Sequence, residues 1–379
     1  MEYYDFKGLK LSALGFGAMR LPVVDGDDTN VDESATLEMV EFARAHGVNY
    51  FDTAWGYHGG NSERVMGRVL ERFPRESFYL ADKFPGYDVS NFGKHEQIFA
   101  EQLERCRVDY FDFYLIHNVC ELNIEQYLDD AKFGTVSFFR RQVEAGRIKH
   151  LGFSVHGNHE TFMRFLEAYG DVMEFCQVQL NYMDWDFQNA RGKVEELQRR
   201  GLAIMVMEPL RGGNLITLGE DDMAPLRELR PNASAVEWAF AFVRGMKGLG
   251  TVLSGMSNME QLRENVALFE CADGLSADEE AALLALGRKL ASAKGVPCMA
   301  CRYCMSHCPQ ELDIPRLLEL YNEHLSRPSF GFIAPMALGA MPVDKHPSAC
   351  IGCGACSSVC PQQIDIPEAL ADFARIMGE

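Results

Sequence analysis

Eight times in its first 285 residues this chain passes from a short apolar run into a longer amphipathic stretch, and few folds accommodate that rhythm. The short runs are LGFGAM at 14–19, VNYFD at 48–52, FYLADK at 78–83 and DFYLIH at 112–117. HLGFS at 150–154, FCQVQL at 175–180, AIMVME at 203–208 and GTVLSG at 250–255 complete the set. Between them lie helical patterns, for example over Glu33–His46, Ser62–Arg72 and Lys94–Arg107. Parallel strands need helical crossovers and are buried on both faces, so eight strand–helix units predict an α/β protein with a closed (β/α)8 TIM barrel over 1–285. An open doubly wound sheet is the alternative, and it loses ground because no G-x-G-x-x-G follows an early strand. In a barrel, functional residues belong at the C-terminal ends of strands. Asp52, Lys83, His117, Ser154, Gln179 and Pro209 all stand at or just after a strand end.

Residues 286–379 obey a different rule. They hold two cysteine runs, Cys298-x2-Cys301-x2-Cys304-x3-Cys308-Pro309 and Cys350-x2-Cys353-x2-Cys356-x3-Cys360-Pro361. Both match C-x2-C-x2-C-x3-C-P, in which three close thiolates wrap three corners of an iron–sulfur cube and the fourth ligates the other cluster. The pattern therefore assigns Cys298, Cys301, Cys304 and Cys360 to one 4Fe-4S cluster, and Cys350, Cys353, Cys356 and Cys308 to a second. Structural zinc also uses paired C-x2-C motifs, but a third cysteine at the same spacing, then x3-C-P, twice over, does not suit it. Each run leads into a matching segment, PQELDIP and PQQIDIP, with proline placed for a helix start. Leu317, Leu318 and Tyr321, then Leu370, Phe373 and Ile376, continue as helical patterns. Residues 326–349, rich in Gly, Pro and Ala, read as a long loop. This end resembles the small, mainly helical dicluster ferredoxin-like modules joined to many redox enzymes.

Charge narrows the partners. With 36 Lys and Arg against 55 Asp and Glu, the net charge is −19, which repels phosphate backbones and anionic lipid heads. No nucleic-acid partner and no membrane association are expected. The chain opens MEYYDFKGLKL, without a basic segment leading into an apolar one, and a cytoplasmic location is expected. Clustered cysteines in a reducing compartment point to metal ligation rather than disulfides.

The barrel half resembles the aldo-keto reductases. The resemblance rests on Phe51-Asp52-Thr53-Ala54-Trp55-Gly56-Tyr57 with Ser62-Glu63 and Gly67, on Asp82-Lys83-Phe84, on Tyr114-Leu115-Ile116-His117 and on Gly152-Phe153-Ser154. With the dicluster tail, the whole chain resembles the ferredoxin-fused branch of that family. The resemblance implies NAD(P)H-dependent reduction of a small-molecule carbonyl, or the reverse oxidation of an alcohol. Its catalytic tetrad corresponds to Asp52, Tyr57, Lys83 and His117.

Those residue types fit the chemistry. Hydride delivery to a carbonyl leaves negative charge on oxygen, which a proton donor must meet. A tyrosine with pKa near ~10 is a sluggish acid, and an adjacent ammonium favours its phenolate. Tyr57 is then the general acid/base, Lys83 its tuner, Asp52 the anchor of Lys83, and His117 the group that orients the carbonyl oxygen. Taken singly, each has an ordinary structural explanation, and it is the set in family order that points to catalysis.

For the cofactor, the resemblance implies Ser154 and Gln179 at the nicotinamide amide. Pro209, Leu210 and Gly212 fall along the pyrophosphate path, and Glu264 and Asn265 at adenine. Met207 stands where an aromatic ring commonly stacks on nicotinamide, and Val155 where Asn is common. A Lys and an Arg often clamp the ribose phosphate, and here those positions hold Gly255 and Gln261. Ser257 and Gln261 remain as phosphate ligands without the strength of an Arg contact. NADP is the expected cofactor, with NAD as the alternative.

Cys106, Cys176 and Cys271 read as small buried hydrophobes, and Cys120 as packing near the barrel mouth. His156 and His159 read as polar loop residues, and Trp55 as a pocket wall or core. A hydride carries two electrons and each cluster one, so coupling them requires a flavin, a substrate radical or a redox partner protein. An electron-transfer or redox-sensing protein with a non-catalytic barrel is the second reading. A reductase with purely structural clusters is the third.

Overall fold

The computed structural model describes residues 1–270, 274–293, 295, 296, 298, 302, 304–326, 331–360 and 362–379. The chain divides into two compact units, Met1–Leu283 and Leu284–Glu379.

The first unit opens with an antiparallel hairpin, β1 (Tyr3–Phe6) and β2 (Leu9–Ser12). Eight strands follow: β3 (Leu14–Gly17), β4 (Tyr50–Asp52), β5 (Tyr79–Phe84), β6 (Phe111–Val119), β7 (Ile148–Val155), β8 (Phe175–Gln179), β9 (Ala203–Met207) and β10 (Leu249–Gly255). They pair in parallel, in chain order, and β10 closes on β3, so the expected eight-stranded barrel is present. Each expected apolar run contains or overlaps its strand, with ends displaced by at most two residues. The hairpin was not anticipated. It plugs the N-terminal end of the barrel, where Phe6 and Leu11 pack with Tyr50, Phe113, Phe175 and Met205 from the strands.

Helices wrap the barrel because their apolar faces have nowhere else to go. The three expected helices are found at Glu33–Ala45, Asn61–Leu70 and His95–Cys106. The last two pack so closely that a Cβ on Gly67 would stand 2.4 Å from Arg105 O and 2.8 Å from Cys106 C. Gly67 is therefore required by a backbone approach, which fits its place in the quoted signature.

The second unit repeats itself 52 residues on (298 to 350, 314 to 366). The short 3₁₀ turns Met305–His307 and Ser357–Val359 correspond, as do the helices Ile314–Ser326 and Ile366–Met377. Even the left-handed backbone positions recur, Arg302 (φ 64°) with Gly354 (φ 71°) and Glu311 (φ 51°) with Gln363 (φ 53°). Tyr321 and Phe373, equivalent in the repeat, meet with ring centroids 5.7 Å apart. The reading of 326–349 as one long loop is corrected: a helix spans Ile333–Gly339, with 3₁₀ turns at Val343–Lys345 and Pro347–Ala349. Ile333, Ala334, Ala337 and Leu338 bury one face of that helix, and Pro335 is tolerated because it lies in the first turn. Among the described residues no helix is long and apolar enough to cross a membrane.

Two expectations follow from the barrel's packing. Gly67→Ala should cost about 1–3 kcal/mol, the range for overpacking against neighbours that cannot yield, read as a lowered urea midpoint. His95 provides a pH test. It is buried among Phe84, Phe92, Phe138 and Phe139, and that burial pulls its pKa from 6.5 down to about 4, with Asp130 opposing. The unfolded chain takes up the proton first, so stability is full above pH 6.5 and declines as pH falls toward 4, by up to roughly 3 kcal/mol. All three tryptophans, 55, 185 and 238, lie in the barrel and report on it. His95→Gln should flatten the decline measured by their fluorescence, and an unchanged slope would refute the assignment.

Candidate active site and cysteine cavities

Asp52 ends β4, Lys83 lies in β5 and His117 in β6, so three adjacent parallel strands carry three of the expected residues toward one end of the barrel. Lys83 is wholly buried. Its Nζ donates to Asp52 Oδ1 at 2.6 Å and to Thr53 O at 2.6 Å, and stands 3.3 Å from the Tyr57 hydroxyl. Tyr57 arrives from the loop after β4 and is half-buried. The His117 ring meets Tyr57 edge-on, centroids 6.4 Å apart, and Tyr87 meets His117 the same way at 5.3 Å. Tyr87 was not singled out from sequence. It lies four residues past Lys83, and its hydroxyl sits so near Gly56 that a Cβ there would be 2.4 Å away.

The electrostatics follow from depth. Burial is the strongest single influence and works against charge on Lys83, but Asp52 at contact distance, together with Tyr57 and Asp82, outweighs it and holds the ammonium above its ordinary pKa. Burial pulls His117 well below its ordinary value, and Lys83 and His156 add to the effect, so the ring is neutral at physiological pH. For Tyr57 the balance differs from the sequence argument. Lys83 does favour the phenolate, but burial dominates, and Asp52 and Glu208 add to it, so the phenol lies above its ordinary value. At neutral pH Tyr57 is thus a proton carrier, beside a fixed cation able to receive the negative charge it would leave.

Behind Lys83 lies a second polar layer. Gln102 Nε2 donates to Lys83 O at 2.9 Å and to Glu63 Oε1 at 3.1 Å, and Gln102 Oε1 accepts from the Tyr114 hydroxyl at 2.6 Å. Arg105 donates to Glu63 at 2.8 Å and covers the Trp55 ring at 3.7 Å. Trp55 is therefore stacked under an arginine. Ser62 Oγ lies 2.9 Å from Thr53 Oγ1 and donates to Ala18 O at 2.9 Å.

The residues assigned to the cofactor fall on the next strands round the barrel and their loops. Ser154 Oγ accepts from Asn118 N at 2.8 Å. Gln179 Nε2 donates to Asp184 Oδ2 at 2.7 Å, which fixes the amide, and its buried Oε1 has no protein partner among the described residues. A buried carbonyl left without a partner is a candidate acceptor for a ligand's N–H. Met207, opposite Gln179 in register, accepts a weak bond from Gln177 Nε2 at 3.6 Å. Pro209, Leu210 and Gly212 form the loop after β9, in which Gly212 has φ 66°. The same loop carries Arg211, fully buried and paired with Asp184 at 3.1 Å, a pairing not anticipated from sequence. At the far end, Ser257 N donates to Gln261 Oε1 at 2.8 Å, so these two bond each other. Asn265 Nδ2 donates to Ser254 Oγ at 3.0 Å and is buried, whereas Glu264 is exposed.

In the second unit the cysteines line two partly open recesses. Cys298, Cys304 and Cys360 line one. Cys308, Cys350, Cys353 and Cys356 line another. Each recess takes its last cysteine from the other run, and apolar side chains complete the walls, Leu318 and Ile366 in one, Leu312 and Leu370 in the other. Thiols spread around a recess suit a cube with metal at its corners. Cys301 and Cys271 lie outside the described residues; Cys106, Cys120 and Cys176 are buried.

Comparison with known proteins agrees with both halves. Residues 13–286 match the profile of the Aldo/keto reductase family and residues 297–364 that of the 4Fe-4S dicluster domain. L-galactose dehydrogenase of Arabidopsis thaliana is 27% identical over 295 residues, spanning 72% of this chain and 89% of that protein. The NADH-specific methylglyoxal reductase of Escherichia coli is 24% identical over 307 residues, spanning 68% and 90%. Among solved structures, an aldo-keto reductase from Bacillus halodurans superposes with a TM-score of 0.62 at 23% identity, covering 76% of this chain and 96% of its own. One from Klebsiella pneumoniae, in complex with NADP and acetate, gives 0.58 at 19% identity, covering 74% and 93%. The chain is an oxidoreductase that belongs to the aldo/keto reductase family, with a 4Fe-4S dicluster domain following its barrel.

Proposed function

We propose that the barrel mouth interconverts a small-molecule carbonyl and its alcohol with NADPH or NADH. We further propose that the C-terminal unit, taken as 286–379, holds two 4Fe-4S clusters that pass single electrons. The observation that carries the first reading is the Lys83 ammonium, fixed by Asp52 and Thr53 O and lying 3.3 Å from the Tyr57 hydroxyl. A bound nicotinamide would supply the hydride. The chain's own residues manage the proton.

Tyr57 is protonated at neutral pH, the state a carbonyl reduction requires of its acid. As its proton moves to the developing alkoxide, the phenolate left behind faces Lys83 in a site of low polarity, where one fixed cation is worth more than in water. Lys83 cannot swing away, since Asp52 and Thr53 O hold it. His117, neutral and beside Tyr57, is placed to orient the carbonyl oxygen by a hydrogen bond. The carbonyl oxygen of Gln179 and the hydroxyl of Ser154 suit the nicotinamide amide, and the Pro209–Gly213 loop suits the phosphates.

The cluster reading is supported by the two cysteine-lined cavities, with Cys308 and Cys360 exchanged between runs. Clusters there would give the enzyme a one-electron port, and a flavin or redox protein would link it to the two-electron chemistry of the barrel.

Tyr57→Phe should lower carbonyl reduction by about 10²-fold or more while leaving nucleotide affinity within a few-fold. Equal turnover by the variant would eliminate the acid role. In a separate measurement, anaerobic titration with NADPH in the presence of a free flavin as the two-to-one-electron link should yield the electron paramagnetic resonance signal of reduced clusters. Silence in protein that binds NADPH and responds to dithionite would reject electron flow from the nicotinamide site to the clusters.

A further inference from the structure

Side chains alternate between the two faces of a strand. Ala81 packs in the barrel core, so Asp82, next along β5, is turned outward to the surrounding helices. There it meets Glu63 of the helix Asn61–Leu70 and Cys106 of the helix His95–Cys106. Asp82, Glu63 and Gln102 have no exposed surface. Two carboxyl groups in contact and shielded from solvent need either matching cations or a proton between them.

Counting donors decides which. Gln102 Nε2 has two hydrogens, and they go to Lys83 O at 2.9 Å and Glu63 Oε1 at 3.1 Å. Its carbonyl accepts from the Tyr114 hydroxyl at 2.6 Å, so the amide is fully used and fixed. Arg105 donates to Glu63 Oε2 at 2.8 Å and to Glu101 at 2.5 Å. Glu63 thus accepts at both oxygens, once from a cation, as a carboxylate does. Asp82 is less well served. Among the described residues its Oδ1 accepts from Lys83 N at 2.8 Å, and its Oδ2 faces the Cys106 thiol at 3.7 Å. The neighbouring cations are already matched, Lys83 with Asp52 and Arg105 with Glu63. An ionised Asp82 would be a surplus carboxylate held against another.

The surroundings agree with that count. Burial pushes Asp82 well above the ordinary carboxyl range, and the charges of Glu63 and Asp52 add to it, against Lys83 and its backbone N–H. Burial raises Glu63 too, but there Arg105 and Gln102 oppose it. Cys106, Tyr114 and, from the loop after β5, Tyr87 also lie within electrostatic reach of Asp82, and burial keeps all three neutral.

We propose that Asp82 is a protonated acid at neutral pH, donating to the Glu63 carboxylate while accepting from Lys83 N, and that it acts as a positioning residue beneath Lys83 and Tyr57. The bonds form a closed circuit, from Lys83 N through Asp82, Glu63 and Gln102 back to Lys83 O, so the peptide groups on both sides of Lys83 are held. With Asp82 neutral, Lys83 is paired to one carboxylate instead of two and keeps more of its field for the Tyr57 hydroxyl 3.3 Å away. That use rests on the reading of Tyr57 as the acid of carbonyl reduction. The proton on Asp82 does not, so the two ideas fail separately.

Infrared difference spectra of the anaerobic full-length holoprotein at pH 7 test the proton. A carboxylic-acid C=O band, shifted in D2O, should be present in wild type and absent from Asp82→Asn, which keeps an acceptor for Lys83 N and a donor for Glu63. A wild-type spectrum without such a band overturns the proposal and needs no variant. A band that survives in Asp82→Asn overturns it as well, and its loss in Glu63→Gln would then place the proton on Glu63. Urea unfolding gives the thermodynamic check. The folded carboxyl keeps a proton that the unfolded chain releases near a pKa of ~3.9, so rising pH favours unfolding of wild type. Between pH 5 and 7 its folding equilibrium constant should fall, relative to that of Asp82→Asn, by roughly tenfold per pH unit. Parallel pH dependence would refute the assignment. Asp82→Leu, similar in size and unable to hydrogen-bond, should unfold at lower urea than Asp82→Asn, and equal midpoints would remove the positioning role.

Discussion

A lysine ammonium with no exposed surface is among the most costly groups a protein can bury, and much of this barrel's mouth is arranged around one. Stripped of partners, such a charge costs several kcal/mol and is displaced or neutralised. Lys83 retains it because Asp52 and the carbonyl of Thr53 both accept from it at 2.6 Å. Those acceptors are in reach only because β4 and β5 pair with Asp52 opposite Ala81, two residues before Lys83. The constraint spreads outward. Gln102 secures the Lys83 carbonyl, Glu63 secures Gln102, and Arg105 secures Glu63 against the Trp55 ring. The helices that carry Glu63 and Gln102 meet backbone to backbone at Gly67. An ionic contact at the surface would have permitted slack at each of these steps; a buried one does not.

Much of this was legible in the residues. Parallel strands buried on both faces must be apolar, so eight short apolar runs stand out, and the barrel follows. The hairpin β1–β2 was missed because its two-residue turn is Lys7-Gly8, where both residues need positive φ and Asn-Gly or Asp-Gly is the usual cue. The helix Ile333–Gly339 was missed because proline and glycine at 335 and 339 look like loop punctuation when its buried face is not visible. The strand-end positions of Asp52, Lys83, His117, Ser154 and Gln179 were readable, since position in a barrel is a local property. Interactions between distant loops did not. Arg20 is joined to Gly212 and Gly255 across more than 190 residues of sequence, and Arg211 to Asp184 by the folding of two successive loops. The balance at Tyr57 also escaped, because a neighbouring lysine can be named from sequence whereas the burial that outweighs it cannot.

The two halves of the chain place their chemistry by different means. In the barrel, paired β-strands act as rulers that set side chains at their C-terminal ends. In the second unit there is no sheet among the described residues, and turns with left-handed residues at matching positions bend the chain around each cavity. Gly354 adopts that bend at little cost, whereas Arg302 adopts the same conformation with a side chain attached.

The exchange of Cys308 and Cys360 between the two cavities makes the duplicated halves mutually dependent. On the proposed cluster assignment each half borrows its fourth thiol from the other, so neither copy could be deleted without opening both sites. On that assignment a lesion at one of these cysteines is a lesion in the neighbour's site as well. Oxidative damage and cluster loss would then propagate through the pair, and the module would behave as a single unit of inheritance and of failure.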